Sequence, residues 1–343
     1  MAHLILENVC KRFDDQPAVE GLDLNIEPGE FVALLGPSGC GKTTVLRMLA
    51  GFEALSAGCI RLGDKVLADE LVHLPPEQRQ MGMVFQSYAL WPHMSVAENV
   101  GYPLKMQKLR EAQRKQRVGE ALEAVQLSHL ADRAPRDLSG GQRQRVALAR
   151  CLVTEPDVVL LDEPLANLDR HLRASMEDAF REFHRRTGAT LIYVTHDQAE
   201  AMSLASRIAV MNRGRLEQWS TPQALYDYPR SEWVAGFIGQ GGVAPVQGVS
   251  AGCEVGGESL SRGLSMTGSG AATPVLIRPQ DVQVVDHGVP AAVAESIYRG
   301  ERYELKLLLD SGAQLMAYHN RPLQPGQRTA IQVTRGWALE ASR

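Results

Sequence analysis

The stretch that decides the fold is "FVALLGPSGCGKTT", residues 31–44. Its first part, "FVALLG", is a short continuous apolar run ending in glycine, which is typical of a parallel strand buried on both faces. Residues 36–43, "GPSGCGKT", then match the phosphate-loop pattern G-x-x-x-x-G-K-[ST] without deviation. A strand before this motif and a helix after it are the context it requires, so a chance glycine-rich turn is the poorer interpretation. The stretch predicts an α/β core that binds phosphate groups.

The residue types of this loop suit the binding of nucleotide phosphates. Glycines let the backbone curl so that successive N–H groups, about residues 39–44, point at the β- and γ-phosphates of a nucleotide. Lys42 would neutralise charge on those phosphates, and the Thr43 hydroxyl suits a Mg²⁺ ion. Cys40 lies beside Lys42 at a helix N-terminus, which can lower a thiol pKa, although a small side chain tolerated among backbone donors is the simpler interpretation. The candidate nucleotide-binding residues of this stretch are Gly36, Pro37, Ser38, Gly39, Cys40, Gly41, Lys42, Thr43 and Thr44.

A second buried strand ends in two acids. "VVLLDE", residues 158–163, places Asp162 at the strand tip, where it suits the Mg²⁺ shell directly or through water. Glu163 follows, where a carboxylate can orient or deprotonate an attacking water. An ordinary acidic pair at a strand end is the alternative, and the phosphate loop upstream makes it the weaker one.

Composition limits the function classes. The chain has 343 residues, 44% hydrophobic and 22% charged, which predicts a globular protein of two domains, or of three if one of them is small. A net charge of −4 and the lack of a basic tail weigh against nucleic acid or an anionic membrane surface as the main partner. There is no apolar stretch of membrane-spanning length, and the N-terminus is charged where a signal peptide is apolar. We therefore expect the protein to stay inside the cell, with its five scattered cysteines reduced and mostly buried.

The order of patterns along the chain predicts the architecture. Strand signals at "VEGLDLNI" (19–26) and "ATLIYVTH" (189–196) alternate with helical ones such as residues 171–186, which indicates a doubly wound parallel sheet. Residues from about 87 to 152 are expected to form a helical insert in this sheet. The tail, residues 239–343, is predicted to form a small all-β domain with a hairpin around residues 310–312. The predicted domains are 1–238, including the insert, and 239–343.

A second stretch also looks built to hold an anion. "LSGGQRQRVALAR", residues 138–150, opens with a serine and two glycines and continues as a basic helix. Helix N-termini present free N–H groups and the positive end of the helix dipole. Arg143, Arg145 and Arg150 could contact phosphate or a partner, but a charged helix face is the commoner reason for such residues, and we do not assign them to the site.

Five motifs in a fixed order now resemble those of a known family. Over residues 13–235 the chain resembles the ATP-binding subunit of an ABC importer with a C-terminal regulatory domain, which implies a P-loop NTPase core of the RecA-like type with a helical subdomain and an all-β, oligonucleotide-binding-like tail. In this family the phosphate loop and the strand-end acids are accompanied by motifs matched here by Phe13, Gln86, "LSGGQ" (138–142), "LANLD" (165–169) and His196.

The resemblance implies a role for each matched residue. Phe13 would stack on adenine, Gln86 would contact Mg²⁺ and the γ-phosphate, and His196 would contact the γ-phosphate. Mg²⁺ would be held by Thr43, Gln86 and Asp162. Two subunits would pair head to tail, so that each ATP lies between one phosphate loop and the other subunit's signature, namely Ser139, Gly140, Gly141 and Gln142. Asp169 belongs to the D-loop, in which Ala166 replaces the serine of many members.

The function expected from this resemblance is ATP hydrolysis that powers import through a separate permease, driven by ATP-dependent dimerisation. The partners would be a second copy, the permease subunits and, indirectly, an extracytoplasmic binding protein, with the subunit peripheral on the cytoplasmic face of the inner membrane. "YPRSEWVAGFIGQGG" (228–242) and "YRGE" (298–301) look similar to the ferric-iron and polyamine branch. Ferric iron is the first expected cargo, with polyamine, phosphonate, sulfate or sugar as alternatives. A soluble ABC ATPase of translation or DNA maintenance, or a P-loop kinase, fits less well, since the chain has one motif set and "LSGGQ".

Overall fold

The computed structural model describes residues 3–85, 88–166, 170–265 and 272–340, with the backbone alone at His171. Contacts within the chain divide it into two compact units, residues 1–222 and 223–343. None of the helices in the described ranges is both long and apolar enough to cross a membrane.

The first unit contains two sheets. Their strands are β1 (Leu4–Phe13), β2 (Gln16–Ile26), β3 (Phe31–Leu35), β4 (Ala57–Leu62), β5 (Lys65–Ala68), β6 (Met81–Val84), β7 (Val158–Asp162), β8 (Thr190–Thr195), β9 (Arg207–Asn212) and β10 (Arg215–Ser220). One sheet has the order β2-β1-β4-β5 and is antiparallel, and the other has the order β10-β9-β3-β8-β7-β6. In the second sheet, β9, β3, β8, β7 and β6 are parallel, and β10 joins the edge antiparallel. The predicted parallel sheet is confirmed.

Helices cover this parallel sheet and form the predicted insert. They are α1 (Lys42–Ala50), α2 (Pro76–Arg79), α3 (Val96–Met106), α4 (Glu111–Ala124), α5 (Gly140–Leu152), α6 (Arg170–Thr187) and α7 (Gln198–Leu204), with short 3₁₀ helices at Ser128–Leu130 and Pro135–Asp137. The insert between β6 and β7 contains α3, α4 and α5, and α6 covers the helix predicted at 171–186. Helix α6 ends where Gly188 adopts a φ of 63° and its N–H donates to His184 O, a glycine C-cap.

Both faces of the parallel sheet are buried, which explains its continuous apolar strands. On one face Phe31, Leu191 and Tyr193 pack against the helices of the insert and α6. On the other face Val32 and Ile192 pack against α1 and the antiparallel sheet. This alternation follows the two-residue period of a strand. It fixes the register of β3 and β8, and with it the loops at their carboxyl ends.

The second unit is built on two antiparallel sheets. Its elements are α8 (Pro222–Asp227), α9 (Glu232–Phe237), β11 (Gly242–Gln247), β12 (Glu254–Gly256), α10 (Gly257–Ser265), β13 (Ala272–Ile277), a 3₁₀ helix (Pro279–Asp281), β14 (Val282–Val285), β15 (Val289–Tyr298), β16 (Tyr303–Leu309), β17 (Gln314–His319), β18 (Arg328–Val333) and β19 (Arg335–Ala338). The sheet orders are β11-β13-β19-β12 and β14-β18-β15-β16-β17. The predicted hairpin is confirmed, with β16 and β17 joined through Gly312 at a φ of 83°.

The two units meet earlier in the sequence than the predicted domain boundary at 238/239. Helices α8 and α9 belong to the second unit because its buried Arg278 binds their backbone. The Arg278 guanidinium donates to Tyr226 O, Ile238 O and Gln240 O at 2.7–3.0 Å. Ala235 of α9 also packs against Leu276 and Leu339. The boundary at 238/239 stays a prediction about where the ATP-binding domain ends.

Candidate functional site

The phosphate loop connects β3 to α1 and requires glycine at several points. Gly39 and Gly41 have φ angles of 78° and 102°, in the left-handed region that side chains disfavour. A Cβ on Gly41 would lie 2.5 Å from Ala18 O, and one on Gly36 would collide with Met211 O and approach Cys40 Sγ to 2.7 Å. A Cβ on Gly39 would meet no atom within 4 Å. The loop is therefore packed against the protein at Gly36 and Gly41 and open at Gly39, where a ligand would approach.

Lys42 is held inside this loop. Its side chain is almost fully buried, and Nζ donates to Gly36 O at 2.8 Å and to Pro37 O at 2.9 Å. These partners are neutral carbonyl oxygens, so they satisfy the donors without cancelling the positive charge. The ammonium also lies at the N-terminus of α1, where the helix dipole is positive. A buried cation at a helix N-terminus favours an anionic ligand.

Cys40 is not an activated thiol. Burial raises its pKa, and the nearby Lys42 ammonium opposes this rise without overcoming it. The side chain is buried, with Sγ 3.7 Å from Lys42 Nζ. Of the two interpretations of Cys40, the small buried side chain is the one that the structure favours. Cys151 is also buried, Cys10 and Cys59 are half-buried, and Cys253 is exposed, so the expectation of mostly buried cysteines is met in part.

Thr43 and Asp162 meet across the sheet edge. Thr43 Oγ1 donates to Asp162 Oδ1 at 3.3 Å, although 119 residues separate them in sequence. Burial raises the pKa of Asp162, and the hydrogen bond from Thr43 partly opposes the rise. A hydroxyl and a carboxylate oxygen are ligands that Mg²⁺ accepts, usually together with substrate phosphates and water. These residues therefore fit a Mg²⁺ ion. No group of three or more His, Cys, Asp or Glu side chains in the described ranges could form a cage for a metal without such a substrate.

Glu163 lies beside His196 at the adjacent strand end. Glu163 Oε1 is 3.6 Å from His196 Nδ1, and the His196 side chain is 59% exposed while that of Glu163 is 24% exposed. The Glu163 backbone adopts a φ of 43°, and its N–H donates to Val194 O at 3.1 Å. This left-handed conformation in a non-glycine residue is uncommon and turns the chain sharply after β7. The two side chains thus form a pair open to a ligand.

A buried network anchors the strand that ends before His196. Tyr193 Oη and Thr195 Oγ1 both donate to Glu200 Oε2 at 2.7 Å, and Glu200 is buried. Burial and the Glu200 carboxylate raise the pKa of Tyr193. Arg173 Nη1 donates to Asp197 Oδ2 at 3.0 Å and also lies 3.5 Å from Glu200. Sequence reasoning missed this network. The signal for it was an acid three residues after a helix N-cap, a spacing that usually predicts a capping box.

The signature stretch begins α5 with a capping box. Ser139 Oγ accepts from Gln142 N at 3.3 Å, and Gln142 Oε1 accepts from Ser139 N at 2.9 Å. The two glycines between them differ. A Cβ on Gly141 would lie 2.5 Å from a Leu172 methyl group, whereas one on Gly140 would meet no atom within 4 Å. Packing within the chain accounts for Gly141 but gives no reason for Gly140.

Phe13 ends β1 and is 44% exposed. Lys11 Nζ lies 4.7 Å from the ring centroid and is itself held by Glu53 Oε2 at 3.1 Å and Ala54 O at 2.9 Å. One face of the ring is therefore covered by a cation, and the exposed surface suits stacking of a flat aromatic ligand.

The remaining predicted residues fall into three groups. Pro37, Ser38 and Thr44 lie in or beside the phosphate loop, with Ser38 exposed. Gln86 and Asp169 lie outside the described residues. The arginines of α5 do not form a solvated face as expected, because their guanidinium groups donate to backbone carbonyls: Arg143 to Leu138 O, Arg145 to Val125 O, and Arg150 to Tyr88 O and Ala89 O.

Known proteins resemble this chain in sequence and in fold. The ABC transporter family model matches residues 19–166 and the TOBE domain model matches residues 275–339. The spermidine/putrescine import ATP-binding protein of Oleidesulfovibrio alaskensis is 41% identical over 97% of this chain and 96% of its own length. The sn-glycerol-3-phosphate import ATP-binding protein of Paracoccus denitrificans is 53% identical over 70% of this chain and 67% of its own length. A dimeric ATP-binding cassette bound to ADP and Pi superposes with a TM-score of 0.57 at 30% identity, over 64% of this chain and 98% of that one.

The fold and the site define an ATP-binding cassette with a C-terminal all-β domain. The chain belongs to the family of ATP-binding subunits of ABC importers, and its activity is that of an ATPase coupled to import. The predicted family, fold class and enzyme class are confirmed. Ferric iron, the first expected cargo, is not supported by these relatives, which are named for a polyamine and for glycerol phosphate.

Proposed function

We propose that two copies of this chain close around ATP, so that each ATP lies between the phosphate loop of one copy and the signature of the other. The main support is Gly140, a glycine at a helix N-terminus that no contact with the described residues requires. Glycine lowers helix stability relative to alanine, and its lack of a side chain leaves the backbone there open to the approach of another molecule. The similarity to a dimeric cassette points the same way.

Within each site, the side chains divide the chemistry of hydrolysis. Lys42 and the N–H groups of the loop hold the phosphates, and the ring of Phe13 stacks on adenine. Thr43 and Asp162, with Gln86, would hold Mg²⁺, which neutralises charge on the phosphates when bound. Glu163 accepts a proton from the water whose oxygen attacks the γ-phosphorus, while the bond from that phosphorus to the oxygen bridging to the β-phosphate breaks. His196, 3.6 Å from Glu163, contacts the γ-phosphate on the same side.

A cleft beside β6 offers a docking place for a permease. It has a volume of about 820 Å³, and its lining includes Phe85, Trp91 and Met106. Met106 is well exposed, and exposed apolar side chains in a concave surface are typical of a contact with another protein. Docking here would place the subunit on the cytoplasmic face of the inner membrane. An extracytoplasmic binding protein would deliver the cargo to the permease.

A polyamine is the cargo that the comparisons favour. The polyamine relative matches this chain along nearly its whole length, including the second unit, whereas the glycerol-phosphate relative matches over 70% of it. Glycerol phosphate and sugars are the second candidates. Uptake of labelled spermidine and of labelled glycerol phosphate, measured in cells lacking this chain and complemented with it or with Lys42→Ala, decides between them. Loss of spermidine uptake alone supports the polyamine.

The test of the sandwich is the mass in solution of Glu163→Gln with and without Mg·ATP. Because this variant retains its geometry but lacks the proton acceptor, ATP is expected to double its mass. Replacing Ser139 with Arg should abolish the doubling without preventing ATP binding. ATP binding without a doubled mass in the Glu163→Gln protein would contradict the proposal for the isolated subunit.

A further inference from the structure

The segment that follows the predicted Gln86 has an unusual backbone. Tyr88 and Ala89, neither of them glycine, adopt φ angles of 62° and 45°. Adjacent left-handed residues with side chains persist only where their surroundings hold them. Another group must therefore hold the backbone of this segment in place.

Arg150 is that group. In the last turn of α5, its Nη1 donates to Ala89 O at 2.6 Å and its Nη2 to Tyr88 O at 3.0 Å. One planar guanidinium thus binds the carbonyls of both left-handed residues. The same guanidinium lies 4.9 Å from the centroid of the Trp91 ring. Helix α5 and residues 88–91 are tied together through this one side chain.

The segment is tied to α3 as well. Trp91 N donates to Asn99 Oδ1 at 2.9 Å, and Asn99 Nδ2 donates back to Trp91 O at 3.1 Å. Asn99 is fully buried, and the Trp91 ring packs on Tyr102 at 4.5 Å between centroids. A displacement of residues 88–91 would therefore have to move with the helices of the insert.

The other end of the segment leads to the phosphate site. Phe85 directly follows β6, and its ring lies 6.0 Å from that of Phe52. Phe52 directly follows the C-cap of α1, and its N–H donates to Arg47 O at 2.9 Å. Strand β6 also pairs with β7, which ends at Asp162. Because Tyr88 N donates to Phe85 O at 2.9 Å, a set of contacts runs from α1 and β7 through Phe85 to residues 88–91.

We propose that Arg150 is a positioning residue that couples the ATP site of its own subunit to the N-terminus of α5, which serves the other ATP site. The inference rests on the proposed function, since it needs ATP at the phosphate loop and the signature acting in trans. Helix α5 starts after the Ser139 cap and ends at Leu152. The signature therefore forms its N-terminal end, and Arg150 binds residues 88 and 89 from its C-terminal end. ATP bound at the phosphate loop then sets the orientation of the signature through residues 88–91 and Arg150.

Arg145 provides a matched control on the same helix. Its Nη1 donates to Val125 O at 3.2 Å, so it ties α5 to the end of α4 within the helical insert. Replacing it removes a partly buried guanidinium from α5 without touching residues 88–91. The comparison separates coupling to the ATP site from support of the helix.

The experiment is amide hydrogen exchange, read by mass spectrometry, of full-length Glu163→Gln protein with and without ATP. Protein is kept at a concentration where light scattering shows a monomer in both states. ATP is expected to slow exchange in peptides covering residues 36–46 and also in those covering 139–150, the latter by about five- to 150-fold, the usual range of coupling between distant sites. Adding Arg150→Gln should leave the first response and abolish the second, and adding Arg145→Gln should leave both.

The outcomes are distinguishable. An unchanged response at residues 139–150 in Arg150→Gln, its absence in the parent, or its loss in Arg145→Gln as well would overturn the inference. No response at residues 36–46 in the parent would instead overturn the proposed function, and with it the inference that rests on it. If Arg150→Gln does not fold, Arg150→Lys replaces it. Lysine keeps the charge but lacks the planar fork, so its response at residues 139–150 should fall to less than half, and a response equal to the parent's would refute the coupling.

Discussion

Glu163 Oε1 and His196 Nδ1 lie 3.6 Å apart although they follow different strands. They meet because β7 and β8 are parallel neighbours in the sheet, so that their carboxyl ends lie at the same edge. The phosphate loop follows β3, the other neighbour of β8. The phosphate loop, His196 and the carboxylates of Asp162 and Glu163 thus lie at the carboxyl ends of three neighbouring strands, β3, β8 and β7. Ligands bind at this edge in open α/β sheets.

Removing the carboxylate of Glu163 should stop hydrolysis but not binding. In Glu163→Gln the side chain keeps its size but no longer accepts a proton, so we expect the hydrolysis rate to fall by at least about 100-fold. Single-turnover hydrolysis and the Kd for ATP are the measurements. Glu182→Gln, which changes an exposed acid paired with Arg185, is the control and should hydrolyse ATP normally. A normal rate in Glu163→Gln would exclude this residue as the proton acceptor.

His196 and His184 should differ when each is replaced. His196→Ala is expected to lower the hydrolysis rate by about 100-fold with little effect on unfolding, because it removes a donor to a phosphate oxygen from an exposed side chain. His184 bonds to Gly29 O at 2.8 Å inside the fold, so His184→Ala should lower the Tm and leave the rate nearly unchanged. Rates and thermal unfolding of both variants test this. The assignment of His196 fails if its variant loses stability rather than rate.

The two signature glycines should respond to alanine in opposite ways. Gly140→Ala meets no neighbour and favours the helix, so it should stabilise the isolated protein by up to about 1 kcal/mol. The new methyl group would face the partner's ATP, so ATP-dependent dimerisation should weaken. Gly141→Ala must displace Leu172 and should lower the Tm. Thermal unfolding without nucleotide and light scattering with ATP measure the two effects. Unchanged dimerisation of Gly140→Ala would argue against ATP binding at this glycine.

Much of the site was predictable because its chemistry is local in sequence. The strand, the loop and Lys42 are consecutive residues, and Asp162 and Glu163 end an apolar run. Their meeting at one edge followed from the parallel order of the strands. The 3.6 Å approach of Glu163 to His196 could not be read from spacing, since it depends on the left-handed turn at Glu163.

The arginines of α5 show where sequence reasoning failed. Their spacing in a polar helix favours a solvated face, but each guanidinium donates to a backbone carbonyl elsewhere in the first unit. For Arg150 the acceptors, Tyr88 and Ala89, are about 60 residues away, as the sequence separations of 62 and 61 show. Every residue has a backbone carbonyl oxygen, so the residue types do not indicate which carbonyl accepts a hydrogen bond. Pairs of this kind therefore cannot be predicted from residue patterns.

Arg278 should be essential to the stability of the second unit. It is buried, and its guanidinium binds three carbonyl oxygens, those of Tyr226, Ile238 and Gln240. Arg278→Met should lower the free energy of unfolding by about 3 kcal/mol, since these carbonyls lose their donors in a buried place. Chemical denaturation measures the change, with the exposed Arg321→Met as control. Equal stability of the two variants would contradict this role.

Asp162 should lower the stability of the protein without nucleotide, because burial raises its pKa. When the folded-state pKa exceeds the unfolded one, the protonated form favours folding, and this contribution is lost as the pH rises through the folded pKa. Asp162→Asn, which removes the buried charge, should therefore raise the Tm at about pH 7. The gain should shrink as the pH falls towards about 4, near the ordinary pKa of an aspartate.

The same variant, Asp162→Asn, should lose Mg²⁺-dependent hydrolysis. Thermal unfolding at both pH values measures the gain, and Asp178→Asn, an exposed acid paired with Arg181, should show none. A lower Tm of Asp162→Asn at neutral pH would mean that its bond from Thr43 outweighs the burial of its charge.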